Sequence, residues 1–355
     1  MTECEHMIKC GELEVVEQAK PFSPFGEDLF GHSIEQAKQG LVSKRFLVAP
    51  FTVLNSRDGD WQERKRAWRA IGIEGEVGRD AKWAETAEVE YFDFYRKKEA
   101  RKVSGSNSTT GKNSCMKKTS QGLSVNEDGS ASVTSLFDPV LCEIVYRWFS
   151  REGSQIVDPF CGGSVRGVVA SLLGRNYWGS ELRIEQVESN RKQATTICKT
   201  NVPEFILGDS LVTIPSAPEC DLVFSCPPYG DLEVYSDDPQ DLSAMSHEAF
   251  TEAYREIVRL SCERLKDNRF ACFVVGDFRG KNGLYRNFVS ETIRAFLDVG
   301  LGLYNEAVLV TSVGSASMRV SKQFDSGRKF AKTHQNVLVF CKGDWKEAAN
   351  YVNSK

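Results

Sequence analysis

From position 137 onward, short apolar runs alternate with longer amphipathic stretches. The run at 155–157 breaks into DPFCGGSVRG, and 164–173 follows with small residues on one face, as in a helix packed close to a sheet. The runs at 177–181, 205–207, 221–225, 270–275, 307–310 and 337–341 read as further strands. Residues 183–200, 247–265 and 283–299 read as helices. This alternation predicts an α/β fold, a doubly wound Rossmann-like sheet in which the last two strands form an antiparallel pair.

The first hundred residues follow another pattern. FLVAPFTVLN (46–55) reads as a strand, SRDGD as a turn, and WQERKRAWRAIGIEGEVGR (61–79) as a helix ending near Gly72 or Gly75. On that helix Trp61, Lys65, Trp68 and Arg69 share a face. Such a face either reads nucleic acid or buries its tryptophans and leaves the arginines outside. Between 96 and 118 there are eight Lys/Arg against one acid, Glu99. The stretch 102–135 is mostly Ser, Thr, Gly, Asn and Lys, which cannot bury enough surface to offset ordering, so a flexible basic linker is expected there. Its charge serves either phosphate contact or plain solubility. The expected division is an N-terminal module over 1–101 (a candidate for DNA recognition), the linker, a catalytic-size domain over 136–345, and a tail over 346–355.

Composition narrows the class. With 355 residues, 41% hydrophobic and 26% charged, the chain carries enough apolar surface for a packed core. No run approaches the roughly 20 apolar residues of a membrane span, and the N-terminus has no apolar signal region. A net charge of -4 excludes a uniformly basic coat but leaves room for basic patches. Eleven cysteines without a C-x-x-C, beside four histidines, argue against a structural zinc. They read as reduced thiols in a cytoplasmic protein.

Four strand ends carry candidate chemistry. VDPFCGGSVRG (157–167) places Asp158 at a strand end and Gly162 and Gly163 in the turn that follows, where bare backbone can approach a ligand. Glu181 ends the next strand, 23 residues after Asp158, a position suited to accepting from both hydroxyls of a ribose or to pairing with Arg183 or Arg191. Asp209 in ILGDS either accepts from an adenine amine or caps a turn. In DLVFSCPPYGD (221–231), Pro227 and Pro228 stiffen the chain and donate nothing, leaving carbonyls to accept, and Tyr229 presents a ring at the strand end. A rigid acceptor beside an aromatic ring holds an exocyclic amine and stacks its base.

Taken in order, FDPVLCEIV, VDPFCGGS, GSELR, GDS and SCPPY resemble the S-adenosylmethionine-dependent DNA amino-methyltransferases. With GGSVRG and WQERKRAW, the chain is similar to orphan methyltransferases of phage genomes, and KTHQNVLVFCKG (332–343) resembles the last strand of that family. The resemblance covers 137–341. It implies S-adenosyl-L-methionine as cofactor and the exocyclic amine of adenine or cytosine in DNA as acceptor. It places Phe137 and Asp138 near the methionine part, Asp158, Phe160 and Gly162 around its amino-acid head, Glu181 at the ribose and Asp209 near the adenine. Ser225, Cys226, Pro227, Pro228 and Tyr229 fall at the target base. The family's tetrad usually begins with Asp, Asn or Ser, whereas here Cys226 follows Ser225. A thiol is a weak donor and acceptor. The alternatives are therefore attack on a pyrimidine carbon by Cys226, methylation of RNA or a protein amide, and a catalytically silent DNA-binding protein of the same fold.

Candidate phosphate contacts lie in SMRVSKQFDSGRKFAKTH (317–334), where Arg319, Lys322, Arg328, Lys329 and Lys332 interleave with Phe324 and Phe330. The stretch shows no clean period and reads as a loop. The acidic run 237–241 reads as a flap over the cofactor pocket.

Overall fold

The computed structural model describes residues 41–73, 124–125, 131–132, 136–229, 241–280, 282–313 and 316–354. In chain order the elements are β1 (Val53–Asn55), α1 (Gly59–Ala70), α2 (Pro139–Phe149), β2 (Gln155–Asp158), α3 (Val165–Leu172), β3 (Asn176–Glu181), α4 (Ile184–Ile197) and β4 (Glu204–Leu207). They continue with β5 (Cys220–Ser225), α5 (His247–Arg264), β6 (Leu265–Val275), α6 (Phe288–Asp298), β7 (Gly302–Val310), α7 (Ala316–Gly327), β8 (His334–Lys342) and α8 (Trp345–Asn353). The eight strands form one sheet in the order β1-β7-β8-β6-β5-β2-β3-β4. β8 runs antiparallel to β6 and β7, and the other pairings are parallel.

Successive strand residues point to opposite faces, so a sheet apolar on both sides needs helices on both. Ile156, Leu222, Phe224, Cys272 and Val337 pack on the face that carries Trp68, Ile144, Val168 and Val187. Val157, Val223, Phe273 and Phe340 pack on the other, against Phe250, Tyr254, Phe288 and Phe296 of α5 and α6. The chain moves outward from β2 to β4 and then returns to lay β5 beside β2. That reversal opens a crevice at the carboxyl ends of β2 and β5, the place where open α/β sheets bind ligands.

Residues 41–73 are part of this body. β1 extends the sheet by pairing with β7, and α1 docks on α2. The carboxylate of Glu143, fully buried on α2, accepts from Arg64 Nε and Nη2 (2.7 and 2.6 Å), Arg147 Nε (2.8 Å) and Trp68 Nε1 (2.9 Å). Burial pulls the Arg64 pKa down, with Glu143 opposing the shift. Trp61 and Trp68 are core residues, while Arg66 and Arg69 face solvent. Of the two readings of this helix face, the structure therefore supports buried tryptophans. Glu143→Gln keeps the shape but removes the charge. It should cost about 3 kcal/mol, because the amide nitrogen cannot accept, so two of the four donors lose their partner and the buried arginine charge loses its counter-ion. Comparing thermal melts of the two proteins measures this cost, and an unchanged midpoint would show that α1 is held by its tryptophans alone.

Several elements differ from expectation. The run 46–55 is not one strand: Leu41–Phe46 is helical, Leu47 has a left-handed φ of 77°, Pro50 donates no hydrogen bond, and only Val53–Asn55 pairs. The helix expected from 283 starts at Phe288, because Tyr285 pairs with Arg279 in an isolated bridge before it. Residues set apart as a tail belong to α8, where Ala348 is buried and the Tyr351 ring lies 3.2 Å from the Arg269 guanidinium carbon. Residues 317–327 are helical rather than a loop. In the expected linker, Ser124–Val125 pairs antiparallel with Ala131–Ser132. The rest of that linker, residues 1–40 and 74–101 of the expected module, and 237–240 of the acidic run lie outside the described residues. No described helix is long and apolar enough to cross a membrane, and no described group of His, Cys, Asp and Glu has the geometry to hold a metal.

Candidate functional site

A cavity of about 450 Å³ lies at the carboxyl ends of the parallel strands. Phe137, Asp138, Phe160, Gly162, Glu181, Asp209, Cys226, Pro227, Pro228 and Tyr229 all line it. Its volume falls within the ordinary range of small-molecule sites. Of the candidate residues on these strand ends, Asp158 and Ser225 are not on its wall; they sit behind it.

Asp158 is fully buried. Its Oδ1 accepts from Ser225 Oγ (2.5 Å) and the Phe160 amide (3.1 Å), and its Oδ2 accepts from Arg166 Nε (2.5 Å) and Tyr177 Oη (2.6 Å). Four donors thus enclose the carboxylate that the sequence placed beside the cofactor's amino-acid head. Burial pushes the Tyr177 phenol well up, and the charge of Asp158 adds to this, so Tyr177 stays a donor. Burial opposes the charge of Arg166, but Asp158 outweighs it and raises the pKa well above the ordinary arginine value.

This network shapes the turn after β2. Arg166 Nη2 donates to the carbonyls of Phe160 (2.6 Å) and Cys161 (2.8 Å), and Asn190 Nδ2 donates to Gly162 O (2.7 Å). Ser210 Oγ donates to Pro159 O (2.5 Å). Four consecutive carbonyls are thus held by side chains. Gly162 has a left-handed φ of 50°, which a residue with a Cβ adopts only at a cost. Arg166 also lies 4.6 Å from the Phe137 ring centre. Sequence reasoning misses Arg166; a lone arginine within the apolar helix VRGVVASL, eight residues after an acid, is the signal that could have found it.

Glu181 stands at the end of β3, where Oε1 accepts from the Arg183 amide (3.0 Å) and lies 3.6 Å from Arg183 Nε. It lines the cavity and is paired with Arg183, the second of its two sequence readings. Asp209 caps the short helix Ser210–Thr213 through Leu211 N (2.9 Å), the capping role foreseen for it, and also lines the cavity. Asp138 caps α2 through Val140 N (3.0 Å) and Leu141 N (3.4 Å), and accepts from Trp61 Nε1 and Lys65 Nζ. Lys65 and Asp241 line the cavity too.

At the opposite wall Tyr229 packs against Phe278 and Phe288, with ring centres 6.2 and 6.4 Å away. Gln335 Nε2 donates to its hydroxyl (2.5 Å). Gln335 also lines the cavity, and no motif in the sequence marks it. Cys226 is partly exposed on the wall. It lies within electrostatic reach of Arg166, whose charge is matched by Asp158.

A basic and aromatic ridge lies on the chain before β8. On α7 and just beyond it, Lys322, Phe324, Arg328, Lys329 and Phe330 are exposed, Phe330 to 77%. The rings of Phe324 and Phe330 stack with centres 6.0 Å apart, and Arg328, with a left-handed φ of 50°, folds over Phe324 at 5.0 Å. Lys332 is half-buried, its Nζ 3.4 Å from His334 Nε2, and burial lowers its pKa. The Arg319 side chain lies outside the described residues.

No protein-family model and no curated protein matches the chain. Among solved structures it is similar to TrmN from Thermus thermophilus at 19% identity, over 58% of this chain and 49% of that one, with a TM-score of 0.41. A putative SAM-dependent methyltransferase from Streptococcus mutans matches at 13% identity, over 58% of this chain and 50% of that one, with a TM-score of 0.41. A putative DNA modification methylase, also from Thermus thermophilus, matches at 18% identity, over 39% of this chain and 51% of that one, with a TM-score of 0.29. The chain spans about half the length of each of these three proteins, and likeness at this level says nothing of substrate.

Proposed function

We propose that the protein transfers a methyl group from S-adenosyl-L-methionine to the exocyclic amine of adenine or cytosine in DNA. The observation that carries this reading is that the Phe160–Gly162 turn, Glu181 and the Cys226–Tyr229 corner open onto one cavity.

The donor set suits a zwitterionic adenosyl ligand: carboxylates at two successive points, an apolar wall from Phe137 and Phe160, and a bare backbone bend at Gly162. Phe137, Asp138, Phe160 and Gly162 would hold its methionine part, Glu181 its ribose and Asp209 its adenine. When bound, the cofactor supplies a methyl on a sulfonium, an already activated leaving group. The chain's own work is then mostly positioning. The carbonyls of Cys226 and Pro227 accept from the amine, Tyr229 stacks the base, and Gln335 fixes the tyrosine ring. Arg166 on the cavity wall, and Asp158 behind it, keep the glycine bend in shape. Flipping a base from a duplex costs a few kcal/mol, which the Tyr229 stack helps to offset.

The exposed ridge of Lys322, Phe324, Arg328, Lys329 and Phe330 supports a nucleic acid over a protein amide, since cations suit phosphates and exposed rings suit bases. Replacing Arg328 and Lys329 by glutamine should weaken DNA binding and reduce its salt slope by about two. An unchanged slope, measured from about 50 to 200 mM salt, would make the ridge an ordinary solvated surface. The reaction itself is tested by expressing the protein in a methylation-free host and sequencing its DNA for modified bases. Methylated amines in a fixed context support the proposal; a methylated pyrimidine carbon, or label found only in RNA or protein, refutes it.

A further inference from the structure

We propose that Lys65 of α1 binds the carboxylate of the cofactor's amino-acid head, so that the N-terminal segment completes the cofactor pocket. This deepens the reading above and rests on it.

A methionine head carries an ammonium and a carboxylate. Asp138 already accepts from Val140 N, Leu141 N, Trp61 and Lys65, but it is 14% exposed on the cavity wall, so its charge can face the ammonium. The carboxylate needs a cation, because a charge leaving water without a partner is costly. Arg166 also lines the cavity, but its charge is matched by Asp158 and its Nε and Nη2 are held by Asp158 and two turn carbonyls. Arg183 stands beside Glu181, at the ribose end of the cavity. Lys65 lies at the methionine end: its Nζ is 2.9 Å from Asp138 Oδ2, and it lines the cavity together with Phe137 and Gly162. An ammonium has three donors, and the hydrogen bond to Asp138 uses one. Its side chain is 27% exposed, open enough to meet a ligand.

The position is firmly imposed. Trp61, Arg64, Lys65 and Trp68 recur at the spacing of one helix face. Trp61 is buried and donates to Asp138 (3.2 Å), Trp68 is buried and donates to Glu143, and Arg64 grips Glu143 with two nitrogens. Three side chains thus lock the helix, and the fourth brings a charge to the pocket.

Calorimetry of the full chain with S-adenosylmethionine and with its decarboxylated analogue tests the assignment. Wild type should bind the intact cofactor at least about tenfold more tightly than the analogue. Lys65→Met should weaken the intact cofactor by about that factor and leave the analogue within about twofold. Lys65→Arg, which restores the charge and provides a second variant should the first melt, should recover most of the difference. Equal weakening of both ligands by Lys65→Met, or of neither, overturns the proposal and leaves Lys65 a partner of Asp138 alone. Wild type that binds neither ligand overturns the methyltransferase reading itself, and this proposal with it.

Discussion

Replacing Tyr229 by alanine is expected to lower methyl transfer by at least about 100-fold while S-adenosylmethionine affinity stays within about twofold. Stacking a base on an aromatic ring is worth about 1–3 kcal/mol. Loss of the ring also frees the amine to wander, and a small misplacement at a reacting centre costs about 100-fold by itself. The ring's setting supports this size of effect: Phe278 and Phe288 fix it on the apolar side and Gln335 holds its hydroxyl. Tyr229→Phe keeps the ring and gives up one hydrogen bond, so it should lose only several-fold. Labelled methyl transfer measures the first quantity and calorimetry the second. If Tyr229→Ala abolishes cofactor binding instead, the residue belongs to the cofactor wall and not to the base.

Asp158→Ala is expected to be the most destabilising single change in the site, at about 3–5 kcal/mol. Removing one partner of a buried ion pair leaves the other charge uncompensated. Here that charge is Arg166, whose side chain is 5% exposed. Tyr177 and Ser225 lose their acceptor as well. The melting midpoint should fall by roughly 10 °C. Cofactor binding should weaken with it, because Arg166 no longer has a fixed place from which to hold the Phe160 and Cys161 carbonyls. Pairing Asp158→Ala with Arg166→Met should restore part of the stability, since the stranded charge is gone. A variant that melts normally yet binds no cofactor would mean that Asp158 touches the ligand directly, contrary to its enclosure in the structure.

The two changes illustrate how much was legible in advance. Tyr229 follows two prolines at the end of a buried strand, a local pattern that marks a rigid presented ring. The role of Asp158 was not legible, because its partners come from positions 166, 177 and 225, which only folding brings together. The basic stretch 317–334 read as a loop for a physical reason. A helix shows its period by burying one face, and α7 is exposed along nearly all of its described residues.

The chain alone determined the succession of strands and helices from 155 to 310 and the closing strand, though not the helix at 316–327, since apolar runs of strand length separated by amphipathic stretches admit few other arrangements. It also determined which residues stand at the strand ends, because Gly, Pro and acidic residues punctuate those runs. The tertiary structure decided that these ends share a cavity, that Asp158 and Ser225 stand behind its wall, and that Lys65, Arg166 and Gln335 reach it. Local pattern reports which way a side chain faces on its own element. Which distant element it meets depends on strand order, and here the return of β5 to the side of β2 sets that order.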